Sequence, residues 1–432
     1  TQRGFLSHAA FTPDALGKTL ASDADFALAH ACKGFFCALL GRAEMMVVAR
    51  DALKTARETA AKRKVSTREA VYIDALADWL DGGSPTRAAN RLDAHLAHHP
   101  DDILALKLVQ AIRFVLGDSA GMRRSVEGAL SAYGQDHSAY GYVLGCHAFT
   151  LEETGDYARA EAIGREGVAA APDDAWGLHA VAHVHDMRGD SAAGIEWLGG
   201  RKHAWAHCNN FRYHVWWHLG LMHLNRGEID AVFQLYDRHI RADETDDYRD
   251  ISNAASLLSR LEVDGHDVGN RWEELADICE TRTQDGCVPF ADLHYMLALI
   301  GGGRDKAVGD LLARMRRDAA SEAGEMASIY ATPGLDAAQG LEAFGEGEFT
   351  EAFRHLASAH GSMQRVGGSH AQRDVFERLT VEAAIRAGCH GAARDLLGER
   401  IAQRGGRVDR FAAERLDRIA GSGDTAEPFA VA

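Results

Sequence analysis

The sequence predicts an all-α solenoid of stacked helix–turn–helix units, and three observations carry that prediction. Glycine is common (44) and proline rare (7). The glycines keep a rhythm, and no Val/Ile alternation of strand type occurs anywhere. Turn glycines precede a polar residue and an alanine-rich helical stretch, as in LGDSAGMRRS, TGDYARAEAI, RGDSAAGIEW, RGEIDAVFQL, GGRDKAVGDL and EGEFTEAFRH. Gly83, Gly117, Gly155, Gly189, Gly227, Gly265, Gly303, Gly347 and Gly388 follow at intervals of 34, 38, 34, 38, 38, 38, 44 and 41 residues. That is the period of tetratricopeptide-like repeats with small insertions.

In chain order, GFFCALLGRAEMMVVARDALK extends the pattern towards the N-terminus, so 1–80 reads as a helical region of degenerate repeats. Residues 81–404 form the solenoid proper, a superhelix around a central groove. HHPDD (98–102) and AAPDD (170–174) supply the Pro-Asp that ends one unit and caps the next helix. Residues 405–432 read as a C-terminal helix and flexible tail. The units number about nine or ten.

Composition narrows the function classes. With 63 acidic and 47 basic residues the net charge is −16, which argues against nucleic acid and anionic membranes as partners. RMRRD (314–318), flanked by acids, reads as a solvated helix face, and the acidic stretch from Asp237, LYDRHIRADETDDYRD, as solvated loop. No apolar run is long enough to span a membrane. The segment TQRGFLSHAAFTPDALGK lacks the n- and h-regions of a signal peptide. Seven scattered cysteines make no disulfide framework, and Cys32 and Cys37 diverge by about 140° on a helix. The expectation is a reduced, cytoplasmic protein with separately buried thiols. The oligomeric state stays open, a homo-oligomer included.

In such units the first helix of each pair faces the groove, and the turn glycine fixes its phase at roughly 100° per residue. In WGLHAVAHVHDM, with Trp176 at zero, His179, His183 and Asp186 fall at about 300°, 340° and 280°, and His185 at about 180°. In YHVWWHLGLMHLNRG, with His214 at zero, Trp217 falls near ~300° and His218 near ~40°, while His223 points away. In GYVLGCHAFTLEETG, Tyr142, Phe149, Glu152 and Glu153 share the stripe, and His147 turns towards the packed side. Hence His179, His183, His214 and His218 are expected in the groove, and His147, His185 and His223 in the packing. One unit on, the equivalent positions are small (Ser252, Ala255, Ser259), with Glu262 near the turn. Polar-aromatic residues between small walls are the makings of a pocket.

The segments HPDDILALKLVQ, GYVLGCHAFTLEETGDYARAEAIGREG, AWGLHAVAHVHDMRG, NNFRYHVWWHLGLMHLNRGEIDAVFQLYDRHI and GGSHAQRDVFERL carry a further likeness. From about residue 90 to 390 the chain resembles the tetratricopeptide repeat protein 38 family. That resemblance implies an α-solenoid closed around a central groove, with HAVAHV and H-x-W-W-H mapping onto His179, His183, His214, Trp217 and His218. It implies no particular reaction. Before residue 90 the likeness is weak, and after Arg404 there is none.

Two chemistries fit the stripe. The i,i+4 pairs His179/His183 and His214/His218 can present two imidazoles to one ion. Zinc or another divalent metal would then sit on His179 and His183, with His214 or Glu152 as third ligand. Neither pair is an H-E-x-x-H, since Ala180 and Val215 stand where the glutamate would be. The favoured reading needs no cofactor. Imidazoles oriented by Glu152, Glu153 or Asp186 act as general acid and base on a carbonyl or a water. Trp176, Trp217, Tyr142 and Phe149 wall the substrate, and Lys107 is the one basic residue on the central stripe. There is no G-x-S-x-G elbow, and GGGR (301–304) is a repeat turn, not a phosphate loop.

VGGSHAQRDVFERL (366–379) interrupts the rhythm. It reads either as a loop folded over the groove, bringing Ser369, His370, Gln372 and a carboxylate clamp in Arg373, or as an inter-repeat cap with a surface Arg373–Asp374 pair. The function expected is therefore a small-molecule hydrolase or carbon–carbon lyase. The alternatives are a peptide-binding scaffold and a purely structural histidine network.

Overall fold

Every turn glycine named above lies between two helices and has a positive φ, from +62° at Gly83 to +86° at Gly265. Glycine enters that left-handed region without the Cβ penalty other residues meet, so it sets the hinge of each pair. Gly41 (φ +61°) does the same between Ala27–Ala38 and Ala43–Lys62. The computed structural model describes residues 1–321 and 324–421. Among them the pairs run to His370–Arg386 with His390–Gln403, and Arg410–Gly421 follows. The expected tail beyond residue 421 lies outside the described residues. Thr67–Leu80 pairs with Pro85–Leu96 across Gly83, so the boundary expected at residue 80 falls inside a unit.

The chain is an all-α helical-repeat solenoid, with no strand among the described residues beyond a lone bridge between Ala9 and Cys208. The Pro-Asp caps form: Asp102 accepts the Ala105 N–H at 3.4 Å, and Asp174 accepts those of Trp176 and Gly177 at 3.2 and 3.1 Å. The inner helix Tyr140–Glu153 is buried all round, every residue after the first. A helix packed on all faces has no solvent side, and here the reason is closure. Arg42 pairs with Asp246 at 2.6 Å and Arg282 with Glu44 at 2.7 Å. The Gly83 carbonyl accepts the Glu325 N–H at 2.8 Å, and Gln364 donates to the Gly117 carbonyl at 2.8 Å. Tyr157 reaches the Gln403 carbonyl at 2.8 Å. The last units therefore sit on the first.

Into the hollow goes His370–Arg386, packed against both Ala175–Met187 and Tyr248–Val263. The 366–379 segment does reach the groove, with Gly368, Ser369 and Gln372 lining the cavity, but as the start of a helix and not as a loop or a surface cap. After Gly367 and Gly368, Ser369 opens this helix with a capping box to Gln372. Asp374 is no surface partner of Arg373; it binds Arg378 at 2.7 Å and Arg400 at 2.8 Å inside the protein. Arg400 also bonds Asp409 at 2.9 and 2.7 Å. The basic run 314–318 needs the same correction. Arg314 is buried against Asp292 at 2.6 Å, because a carboxylate taken out of water needs a cation. In the acidic stretch, Asp237 holds Arg271 at 2.8 Å and Asp250 is 1% exposed, so neither belongs to a free loop. No helix among the described residues is long and apolar enough to cross a membrane. All seven cysteines are free, and Cys32 and Cys37 are buried.

Candidate functional site

Three adjacent inner helices, Tyr140–Glu153, Ala175–Met187 and Phe211–Asn225, build the site. The first two approach closely because Gly145 and Gly177 face each other; a Cβ on Gly145 would collide with the Asp174 carboxylate and stand 3.0 Å from the Gly177 Cα. That approach sets Phe149 and Trp176 4.6 Å apart between ring centres and stacks His179 on Phe149 at 5.4 Å.

One ligand-capable atom from each of His179, His183, His214 and His218 lies within 4.8 Å of the others. The Nε2 atoms of His214 and His218 are 3.1 Å apart. Outside the cluster, His179 Nδ1–H donates to the Trp176 carbonyl at 2.6 Å and His214 Nδ1–H to the Asn253 amide oxygen at 2.9 Å. A carbonyl oxygen only accepts, so in both rings Nε2 keeps its lone pair and turns it inward. His183 Nδ1 faces Glu152 Oε2 at 3.6 Å. Burial, reinforced by the neighbouring imidazoles, lowers His179, His183 and His218 well below the usual histidine value. Burial takes His214 down to about 4, with Asn253 pulling the other way. Glu152 is pushed well above the carboxylate range by burial, then by Glu153 and Asp186.

A cavity of about 560 Å³ adjoins the cluster. Its polar lining includes His179, His214, Lys107, Gln110, Asn253, Arg249 and Asp250; its apolar lining includes Leu16, Leu20, Phe36, Met45, Phe114 and Phe290. The Lys107 ammonium stands 4.8 Å over the Trp176 ring, with no ion pair to a carboxylate among the described residues. The N-terminal segment covers this region. His8 stacks on Phe211 at 4.5 Å and on Trp176 at 5.5 Å, and Asn209 N–H donates to the His8 carbonyl at 2.8 Å.

The other expected site residues divide. Trp176 lines the cavity, whereas Phe149, Trp217 and Tyr142 do not. Phe149 packs behind His179 and His183. Trp217 is fully buried and stacks on His214 at 5.3 Å. Tyr142 Oη donates to Asp173 at 2.7 Å, away from the cavity. Glu153 accepts the His370 N–H at 2.8 Å and meets Arg373 at 3.5 Å, while Arg373 also donates to the Gly367 and Gly368 carbonyls. An arginine spent on its own chain is no substrate clamp. Asp186 accepts from Asn225 at 3.2 Å and stands 3.7 Å from Arg404, so it orients none of the four rings. His147 meets Glu127 at 3.3 Å, His185 meets Arg165 at 3.5 Å and His223 meets Glu228 at 2.6 Å, all outside the cluster.

Ser252 is turned into its own helix, donating to the Tyr248 carbonyl at 2.7 Å, and Asn253 takes the place beside His214. Sequence phasing missed Asn253 by one residue. Nothing in the sequence marks His8, which precedes the first unit, or Gln110 and Phe211, which lie outside the histidine stripe. Fold and site together define a helical-repeat protein that encloses a cavity beside a four-histidine cluster. No protein-family model matches the chain.

Proposed function

We propose that the protein is a small-molecule enzyme, a hydrolase or carbon–carbon lyase working on a carbonyl-containing substrate in the cavity. The observation that carries this reading is the meeting of Lys107, Trp176, His179 and His214 on the wall of one cavity. An unpaired ammonium over an aromatic face is placed to hold a carboxylate or a developing enolate or alkoxide oxygen. The anchored rings of His179 and His214 offer Nε2 as proton acceptor for a water or a hydroxyl. The apolar lining suits an acyl or aromatic body.

A peptide scaffold is the weaker reading, because His370–Arg386 fills the hollow in which an extended peptide would lie. The assignment to the tetratricopeptide class and to the tetratricopeptide repeat protein 38 family belongs to this proposal and rests on the repeat period and the quoted segments. A cytoplasmic setting fits seven free thiols. The test is a panel of aryl esters, thioesters and 1,3-diketones followed by chromatography. Turnover lost in His214→Gln and kept in His147→Gln is the expected result. No turnover across the panel, with saturable binding of an extended peptide, overturns it.

A further inference from the structure

The geometry points to a divalent transition-metal site formed by His179, His183, His214 and His218. Two i,i+4 pairs on neighbouring helices put four imidazoles around one point, with all candidate donor atoms within 4.8 Å of one another. Nitrogens bound to one ion at roughly 2.0–2.1 Å in a tetrahedron stand about 3.3 Å apart. His214 and His218 already hold that separation, with 3.1 Å between their Nε2 atoms. The donor atoms of the other two lie within 4.8 Å of these.

Two of the rings are held from behind in the way metal-bound imidazoles are, and a third faces a carboxyl. His179 leans on a backbone carbonyl at 2.6 Å, His214 on an amide oxygen at 2.9 Å, and His183 faces a carboxylate at 3.6 Å. Such partners fix the Nδ1–H tautomer and raise the basicity of Nε2. Both nitrogens of His183, Nδ1 of His218 and both oxygens of Glu152 are buried without a hydrogen bond. A packed protein rarely leaves so many polar atoms unmatched in one place, and one cation at the centre would satisfy the inward-facing nitrogens together. The donor set is all imidazole, which suits zinc, cobalt, nickel, copper or iron and not magnesium or calcium. Glu152 stands behind His183 at 3.6 Å, and the cavity reaches the site past His179 and His214. The site is argued from the cluster alone and competes with the enzyme reading at His179 and His214, whose Nε2 lone pairs cannot hold an ion and accept a proton at once.

The experiment uses the full chain, expressed with supplemented zinc, cobalt or iron and measured by elemental analysis, then stripped with a chelator and titrated with Co²⁺. Expected are one metal ion per chain as isolated and saturable Co²⁺ binding with ligand-field bands in the visible. His183→Gln and His214→Gln should each abolish the bands, and His147→Gln should leave them. Glu152→Gln and Asn253→Ala should weaken Co²⁺ binding by about 10- to 100-fold. A folded chain that carries no metal as isolated and gives no ligand-field bands with Co²⁺ overturns the site, even if it turns substrate over. One bound metal with no turnover anywhere in the panel leaves the site standing and sinks the enzyme reading. If stripping unfolds the chain, refolding on metal addition supports the site, and refolding only on chelator removal without metal counts against it.

Discussion

His183 Nδ1 stands 3.6 Å from Glu152 Oε2, with both side chains fully buried and no hydrogen bond closer on either. Burying a carboxyl that finds no partner costs about 1–3 kcal/mol. In the metal-free chain Glu152→Met, close in volume and apolar, should therefore stabilise the fold by about 1–3 kcal/mol, read from urea unfolding. The same variant should bind Co²⁺ more weakly. A loss of stability of that size would make Glu152 a structural residue and end the argument that it serves the cluster.

Lys107 is 5% exposed, stands over Trp176 and meets no carboxylate. Its charge acts on the buried Asp174 carboxyl without a direct ion pair, and a buried ammonium with no partner in contact destabilises a fold unless a ligand supplies one. Lys107→Met should leave the melting temperature unchanged or higher. For an anionic ligand it should weaken binding at least tenfold, a loss of about 1.4 kcal/mol, measured by calorimetry. Equal affinities in the two proteins would remove Lys107 from the site.

The repeat architecture was legible because glycine at positive φ is a local requirement with a sequence signature: all nine turn glycines named from the sequence carry it. The stripe of His179, His183, His214 and His218 was legible for the same reason, since a fixed hinge makes helix phase computable. Closure of the ring is a long-range matter and left no local mark. The sequence therefore placed Arg373 over the groove, when its guanidinium is bound to the Gly367 and Gly368 carbonyls and to Glu153. Charge runs misled at Arg314 and Asp250, because a buried ion pair and a surface one look alike until the partner helix is known. His8 lies outside any repeat, so no phase applied to it.

The buried pairs of Asp374 and Asp409 set an acid limit on stability. Burial alone would raise Asp409, but Arg400 and Arg404 overcome it and hold the group below its usual value; Arg400, Arg378, Arg404 and Arg260 do the same for Asp374. A carboxylate depressed in the folded state contributes stability that is full above its unfolded pKa of about 3.9 and is lost as pH falls through the folded value. Unfolding free energy should thus fall steeply below about pH 4. Asp409→Asn, which removes one of the two carboxylates that hold buried Arg400, should destabilise by about 3 kcal/mol at neutral pH. That difference should shrink below pH 4, measured as urea midpoints across a pH series. A gap that stays constant into acid would show that Asp409 acts through packing and not through charge.

Gly145 tests whether the site depends on the close approach of the first two inner helices. Replacing a helical glycine by alanine normally stabilises by about 0.5–1 kcal/mol. Gly128, exposed on Ser119–Ala129 with open space where a Cβ would stand, should show that gain as Gly128→Ala. At Gly145 the new methyl would run into the Asp174 carboxylate and against Gly177, so either the cap of Ala175–Met187 or the helix spacing must yield. Overpacking of this kind costs about 1–3 kcal/mol, so Gly145→Ala should lower stability while Gly128→Ala raises it. Because Phe149 and His179 stack across this contact at 5.4 Å, Gly145→Ala should also weaken Co²⁺ binding, which Gly128→Ala leaves alone. If both variants gain stability and bind Co²⁺ like the parent, the spacing of these helices does not hold the cluster together.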